Sequence, residues 1–317
     1  MKGKTLAAID IGTNTFRLLI AKMSDGPPQI KYDIKEIHSE RIITRLGDGM
    51  YENGYLKKEA IDRSVTALRK FCKIIALHGA DKITALATSA LREARNSNEF
   101  LDAAKKVTEL PIEIISGEQE AKITAMGMLL DMTVPETAFM VDIGGGSTEL
   151  IYAIKGIPEI VLSLNTGVVY LAGKYMTADQ PSEQDLTLME EEIVDNITGS
   201  AESFRKSFSN NTAMIGTAGT VTALAAMSQN LKKFEHIKIH NYRLLLHKVK
   251  DIFSTISRLS SHERARHIPF ELSRLDIIVP GTLILSKLMD IFGFEEIRVS
   301  NYGLREGILI HLYNQMN

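Results

Sequence analysis

The chain has 317 residues, 44% of them apolar and 24% charged. That balance excludes disorder and collagen-like repeats, and at about 100–200 residues per domain the length suggests two domains. Lys+Arg number 37 against 39 Asp+Glu, so no global basic field points to a nucleic acid or membrane-surface partner. The single Cys72 excludes an intramolecular disulfide and a cysteine zinc site. No window reaches the roughly 18 apolar residues of a membrane span, and the opening Met-Lys-Gly-Lys leads into a strand and not a secretory leader. A cytoplasmic setting is expected.

Leu6 to Asp10 is an apolar run ending in a carboxylate, followed by a Gly-Thr-Asn-Thr turn and a second strand from Phe16 to Ala21. A turn at Asp25-Gly26-Pro27-Pro28 predicts a third strand from Gln29 to His38. Lys57 to His78 switches to helical period, with Ile61, Val65, Leu68, Cys72 and Ile75 on one face. Strands follow at 83–87 and 112–115, helices at 98–110 and from about Gly117, giving β-β-β-α-β-α-β-α. The pattern then restarts: a strand ending at Asp142, a Gly-rich turn, strands at 149–154 and 159–164, a helix at 182–208, a strand at 212–215 and a helix from Ala218. This is an internal repeat of one supersecondary unit. The last third predicts helices at 242–259, 275–292 and 303–313, a short strand at Arg298-Val299, and a loop with a strand tail at Lys232 to His240.

Three glycine-rich turns each follow an apolar strand: Gly12-Thr13-Asn14-Thr15, Gly144-Gly145-Gly146-Ser147-Thr148, and Gly216-Thr217-Ala218-Gly219-Thr220. Glycines let backbone approach an anion closely, and consecutive N–H groups with Thr/Ser hydroxyls suit phosphate oxygens. One such turn alone reads equally as a tight hairpin; two Asp-Ile-Gly turns in repeated units plus a third opening a helix favour phosphate binding. None matches the P-loop or a dinucleotide fingerprint. Asp10 and Asp142 end strands beside these turns, and a hairpin can bring Glu149 to the mouth of Asp142, so these carboxylates are candidate Mg²⁺ ligands. Ser116 to Gln119 has the spacing of a capping box, which places Glu118 and Glu120 in one first helical turn without separating their roles. Arg17, Arg41, Arg45, Arg92 and Arg95 are the basic groups near these turns, and Arg92, shortly after a strand, could grip an anion bidentately.

The ordered set DIGTNTFRLLI, ATSALREARN, ISGEQEA, VDIGGGSTEL, GTAGT, RLDIIVPGTLIL and NYGLREGIL resembles the Ppx/GppA family of exopolyphosphatases and guanosine pentaphosphate phosphohydrolases, from Ala7 to Ile308. The resemblance implies an α/β fold of two ribonuclease H-like domains, of the actin, sugar kinase and Hsp70 ATPase type, around a cleft. It implies an N-terminal domain of residues 1–122 joined by the C-terminal helix 302–317, and a second domain of residues 123–301. It implies Glu120 as catalytic base and Asp142 and Glu149 as the acids around Mg²⁺; Asp10, from its place beside the first turn, is a further candidate ligand. Gly12 to Thr15, Gly144 to Thr148, Gly216, Thr217, Gly219, Thr220, Arg17 and Arg92 would bind phosphate. Arg17 stands where some members have His, and Gly-Thr-Ala-Gly-Thr departs slightly from the common GTSGT or GTGGT. The expected activity is Mg²⁺-dependent hydrolysis of the terminal phosphoryl group of inorganic polyphosphate, or of pppGpp by the same chemistry. An ATP-dependent kinase of this fold is the rival, although no acceptor site with an Asp base is identifiable. Long members carry a C-terminal HD-type region that this sequence lacks, which favours short polyphosphates or nucleotides. A homodimer is one expected assembly.

Overall fold

The computed structural model describes residues 3–26, 32–133, 135–176 and 178–316. The chain forms two compact units, Met1–Asp131 with Gly303–Asn317, and Met132–Tyr302. In chain order the first unit holds β1 (Lys4–Ile11), β2 (Thr15–Asp25), β3 (Tyr32–Ile43), α1 (Met50–Asn53), α2 (Lys58–His78), β4 (Lys82–Ala87), α3 (Ser89–Glu93), α4 (Ser97–Lys105), β5 (Ile112–Ile114) and α5 (Gly117–Met128). The second holds β6 (Thr137–Ile143), β7 (Thr148–Ile154), β8 (Ile157–Leu164), α6 (Val168–Tyr175), α7 (Glu183–Arg205), β9 (Ala213–Thr217), α8 (Ala218–Ser228), α9 (His236–Ile239), β10 (Arg243–Leu245), α10 (Leu246–Ile256), α11 (Ser261–Arg264), α12 (Ile278–Phe292) and β11 (Glu296–Val299). The final helix, α13 (Leu304–Asn314), returns to the first unit.

In the first unit the strand order is β3-β2-β1-β4-β5. β1 to β3 are antiparallel neighbours, while β4 and β5 run parallel to β1. The continuous apolar run of β1 follows from burial on both faces. Ala7, Ile9 and Ile11 join a core with Leu68, Phe71 and Phe100 of the α2 and α4 side, and Leu6 and Ala8 join another with Ile308, Leu309 and Leu312 of α13. Helix α5 lies against α13 at glycine distance: a Cβ on Gly127 would sit 2.0 Å from the Gly303 carbonyl oxygen, and one on Gly307 would sit 1.9 Å from that of Ile123. A division after residue 122 would cut α5; the structure keeps this helix whole in the first unit.

In the second unit the order is β10-β11-β9-β6-β7-β8. Without its edge strand β10 it repeats the first sheet, β6 to β8 antiparallel and β9 and β11 parallel to β6. Its core, with Phe139, Val141, Leu150, Phe204 and Phe292, lies on one face of this sheet. Both units thus show the mixed strand order of a ribonuclease H-like fold, as the repeat predicts.

Local differences have local causes. Tyr242 was expected to begin a helix, but Arg243–Leu245 pair antiparallel with β11 and the helix starts at Leu246. Leu244 is buried by that pairing. Between Lys232 and His240 the chain makes one helical turn, His236–Ile239, in place of a strand tail. Helix α6 was not anticipated. Pro280 is accommodated in α12 because it falls in the first turn, where no intrahelical donor is needed. Gln29 to Lys31, and Pro27-Pro28 of the expected turn, lie outside the described residues.

Candidate active site

The candidate residues gather at the carboxyl ends of parallel strands, where open α/β sheets hold ligands. In the first unit β1, β4 and β5 are adjacent and parallel, and they deliver the Gly12 to Thr15 turn, Arg92 and Glu120. Thr88, directly after β4, donates its N–H to the Ile11 carbonyl at 3.2 Å and so fixes the two strand ends together. Ser116 caps α5 through a full capping box: Gln119 N donates to Ser116 Oγ at 3.1 Å, and Ser116 N to Gln119 Oε1 at 2.9 Å.

That capped turn separates the two glutamates. Glu118 is exposed and paired with Lys122 at 2.6 Å, and this contact lowers its pKa. Glu120 is 8% exposed, and its Oε2 accepts a hydrogen bond from Arg92 Nη1 at 2.9 Å. The same Nη1 donates to the Ile115 carbonyl at 3.1 Å. Arg92 Nη2 is buried and has no hydrogen-bond partner among the described residues. A buried donor without an acceptor is costly and invites an anion.

Asp10 sits at 5% exposure and takes a 3.0 Å ion pair from Arg17 Nη1, its directly opposite neighbour on β2. Burial raises the Asp10 pKa, opposed by the Arg17 charge. The structure therefore pairs Asp10 with a cation of the chain itself.

The corresponding pair in the second unit is different. Asp142 on β6 faces Glu149 on β7, two carboxylates where the first unit has Asp10 and Arg17. Glu149 is 1% exposed, and its Oε1 accepts hydrogen bonds from Ser147 Oγ at 2.7 Å and Ser163 Oγ at 2.8 Å. Like charges directly opposite each other in a sheet destabilise it unless a cation intervenes. Among the described residues no group of three or more His, Cys, Asp or Glu could hold a metal ion. Two carboxylates without a full protein cage fit Mg²⁺, which keeps several waters and is bound through one or two carboxylates plus phosphate oxygens.

The first two glycine turns are shaped by one device used twice. A Cβ on Gly12 would lie 2.9 Å from the Thr15 carbonyl oxygen, and one on Gly144 would lie 3.0 Å from that of Ser147. After the third strand of each unit, backbone donors tie the turn's carbonyls back. Gly47 N donates to Thr13 O at 2.9 Å, and Thr44 and Arg45 N donate to Asn14 O at 3.1 and 2.9 Å. Val168 and Val169 N, opening α6, donate to Gly144 O and Gly145 O at 3.1 and 2.7 Å. In a planar trans peptide the C=O and the next N–H point opposite ways. The N–H groups of Asn14, Thr15, Gly145 and Gly146 are thereby turned away from these segments, an arrangement that suits anions. Gly47 and Gly167 make the approach possible: a Cβ on Gly47 would lie 2.4 Å from Thr13 Cγ2, and one on Gly167 would lie 2.3 Å from Gly146 C.

Several expected hydroxyl ligands are engaged within the protein. Ser147 donates to Glu149, Thr148 to the Thr166 carbonyl at 2.5 Å, and Thr217 to the carbonyls of Ser300 and Tyr302 at 3.1 and 2.7 Å. Thr13 and Thr15 are buried at 3% and 5% exposure. Gly216 is a packing position, since a Cβ there would meet Ile297 Cδ1 at 2.5 Å. Thr220 lies against Gly281, whose Cβ would be 2.6 Å from Thr220 Oγ1. Gly219 lies against a buried guanidinium: its Cβ would be 1.7 Å from Arg274 Nη2.

Sequence reasoning did not single out Gly47, Gly167, Ser163 or Arg274. The glycines carry a faint signal, each lying a few residues beyond a third strand of the repeat; Ser163 and Arg274 become visible only with strand register and packing.

Residues 19–316 match the model of the Ppx/GppA phosphatase family. The chain belongs to this family. It is 28% identical to Exopolyphosphatase 2 of Mycobacterium tuberculosis, over 97% of this chain and 98% of that one. It is 32% identical to the bifunctional 3-dehydroquinate synthase/phosphatase of Fusobacterium nucleatum over 98% of this chain, and spans about half (47%) of that protein's length. The crystal structure of the Aquifex aeolicus Ppx/GppA family member superposes with a TM-score of 0.81 at 29% identity, covering 99% of both chains. Family membership makes the chain a phosphatase of phosphoanhydride bonds. Among the described residues no helix is long and apolar enough to cross a membrane.

Proposed function

We propose that this Ppx/GppA phosphatase is an exopolyphosphatase that removes the terminal phosphoryl group of inorganic polyphosphate with Mg²⁺. The observation that carries this reading is the Glu120–Arg92 pair: a buried carboxylate held at 2.9 Å by a guanidinium whose second nitrogen is unspent. Glu120 orients the attacking water and accepts its proton. Arg92 fixes the carboxylate through Nη1 and offers Nη2 to a phosphoryl oxygen. The N–H groups of the Gly12 to Thr15 and Gly144 to Thr148 turns bind further oxygens of the phosphate chain. Mg²⁺ held by Asp142 and Glu149 would supply a Lewis acid that neutralises phosphoryl charge. Phosphoryl transfer depends mainly on such positioning and electrostatics. Similarity to a relative named exopolyphosphatase supports polyphosphate as the substrate.

The test is phosphate release from long polyphosphate, short polyphosphate, pppGpp and ATP in parallel, with wild type and Glu120→Gln. Loss of a water-orienting base should cost about 10²–10⁴-fold in rate, with the fold intact by circular dichroism. Near wild-type turnover by Glu120→Gln would refute the assignment of the base. Faster release from pppGpp than from any polyphosphate would move the substrate to the nucleotide.

A further inference from the structure

Register aligns four polar residues across the second sheet: Ser163 on β8 opposite Glu149 on β7, Glu149 opposite Asp142 on β6, and Asp142 opposite Thr217 on β9. Residues at one register level of a sheet share a face. In the first unit the same row reads Arg41, Arg17, Asp10 and Leu86. The hydroxyl at the edge of the row is thus found in the copy of the repeat that has a carboxylate beside it. The copy with an arginine there has another arginine in its place.

We infer that Ser163 is a positioning residue that sets the orientation of the Glu149 carboxylate for a divalent cation. The inference rests on the reading that Asp142 and Glu149 hold that cation. Ser147 and Ser163 both donate to Oε1, at 2.7 and 2.8 Å. Two hydroxyl donors on one carboxylate oxygen restrict its rotation about the terminal torsion from two sides. The two donors differ in what they anchor to. Ser147 belongs to the glycine turn, whereas Ser163 lies within the β7–β8 ladder between Leu162 and Leu164. Ser163 therefore ties the carboxylate to the sheet independently of the turn. Such outer hydrogen bonds orient metal-binding carboxylates, and their loss typically costs about 10–100-fold in metal affinity.

The experiment is Mn²⁺ binding to substrate-free protein, read as loss of the free-ion paramagnetic resonance signal, with Mg²⁺ as competitor. The proteins are wild type, Ser163→Ala, the isosteric pair Ser163→Thr and Ser163→Val, and Glu149→Gln. Ser163→Ala and Ser163→Val should bind Mn²⁺ at least about tenfold more weakly, while Ser163→Thr keeps the hydroxyl and binds like wild type. In phosphate release the half-saturating Mg²⁺ concentration should rise by the same factor in the Ala and Val variants, with kcat at saturating Mg²⁺ preserved. The Thr/Val comparison keeps the test decisive if Ala disturbs packing, because those side chains share one shape. Equal Mn²⁺ affinity for Thr and Val, with Glu149→Gln weakened, overturns the role of Ser163 and leaves the cation site standing. Unchanged binding in Glu149→Gln overturns both.

Discussion

Replacing Gly167 by alanine isolates the close approach that shapes the second glycine turn. Gly167 has φ −122° and ψ 159°, extended backbone that alanine adopts freely, so any effect comes from the added methyl and not from backbone strain. That methyl would lie 2.3 Å from Gly146 C, 2.4 Å from Gly145 O and 2.5 Å from Gly145 C, all of them main-chain atoms. Carbon atoms settle at about 3.5–4 Å, so the turn or the start of α6 must move by about 1 Å. The N–H groups that the Val168 and Val169 donors orient would move with it. Misplacement of about 1 Å in a reacting geometry can cost on the order of 10²-fold in rate. Strain from the overpacked contact would add about 1–3 kcal/mol of destabilisation. The assay is kcat for phosphate release at saturating Mg²⁺, alongside the urea midpoint. Gly173→Ala is the control: it lies in the same helix with nothing within 4 Å of its Cβ. It should retain activity and gain about 0.5–1 kcal/mol from helix propensity. Wild-type kcat in Gly167→Ala would refute the claim that this contact sets the turn.

Two stability predictions follow from backbone and burial. Ala218, opening α8, has φ +71°, a left-handed conformation that costs a non-glycine residue about 1–2 kcal/mol. Ala218→Gly should therefore raise the urea midpoint despite glycine's greater unfolded-state entropy, and a lower midpoint contradicts the strain. Burial holds the Asp10 carboxyl above its usual pKa against the pull of Arg17. The folded chain then binds that proton more readily than the unfolded chain, so this group's contribution falls as pH rises from about 4 through the raised value. Asp10→Asn lacks the group, so unfolding free energy of wild type minus that of Asp10→Asn should decline across this range. A flat difference shows that Asp10 is not desolvated.

Periodicity made the repeat legible because each copy alternates hairpin turns, buried strands and amphipathic helices at nearly the same spacing. Short elements were less legible. β10 has three residues, and its strand character comes from pairing with β11 rather than from any pattern of its own. Helix α6 has eight residues and two tyrosines whose hydroxyls reach Glu192 of α7, a tertiary anchor that periodicity does not show. At the site, Asp142 and Glu149 could be named from the hairpin, but the serines on Glu149 required the register. Capping spacing placed Glu118 and Glu120 in one turn, and burial then separated them: one pairs with Lys122 in solvent and the other with Arg92.

The divergence of the two copies follows from one position. Each copy has an aspartate near the end of its first strand beside a glycine turn, and a Cβ on the first glycine of either turn would crowd a carbonyl oxygen of that turn, at 2.9 and 3.0 Å. On the proposed function, the residue opposite that aspartate decides what the copy holds. Arg17 neutralises Asp10 internally and leaves the first unit with Arg92 Nη2 as an unspent buried donor, a chemistry for anions. Glu149 instead doubles the negative charge beside Asp142 and recruits Ser147 and Ser163 to hold it, a chemistry for a cation. An anhydride phosphatase needs both, because its substrate is a polyanion and the charge on its phosphoryl oxygens must be compensated as the leaving group departs. Exchanging the cross-strand residue in either copy, Arg17→Glu or Glu149→Arg, would abolish that division; in the second copy it would also remove the acceptor of the turn's Ser147.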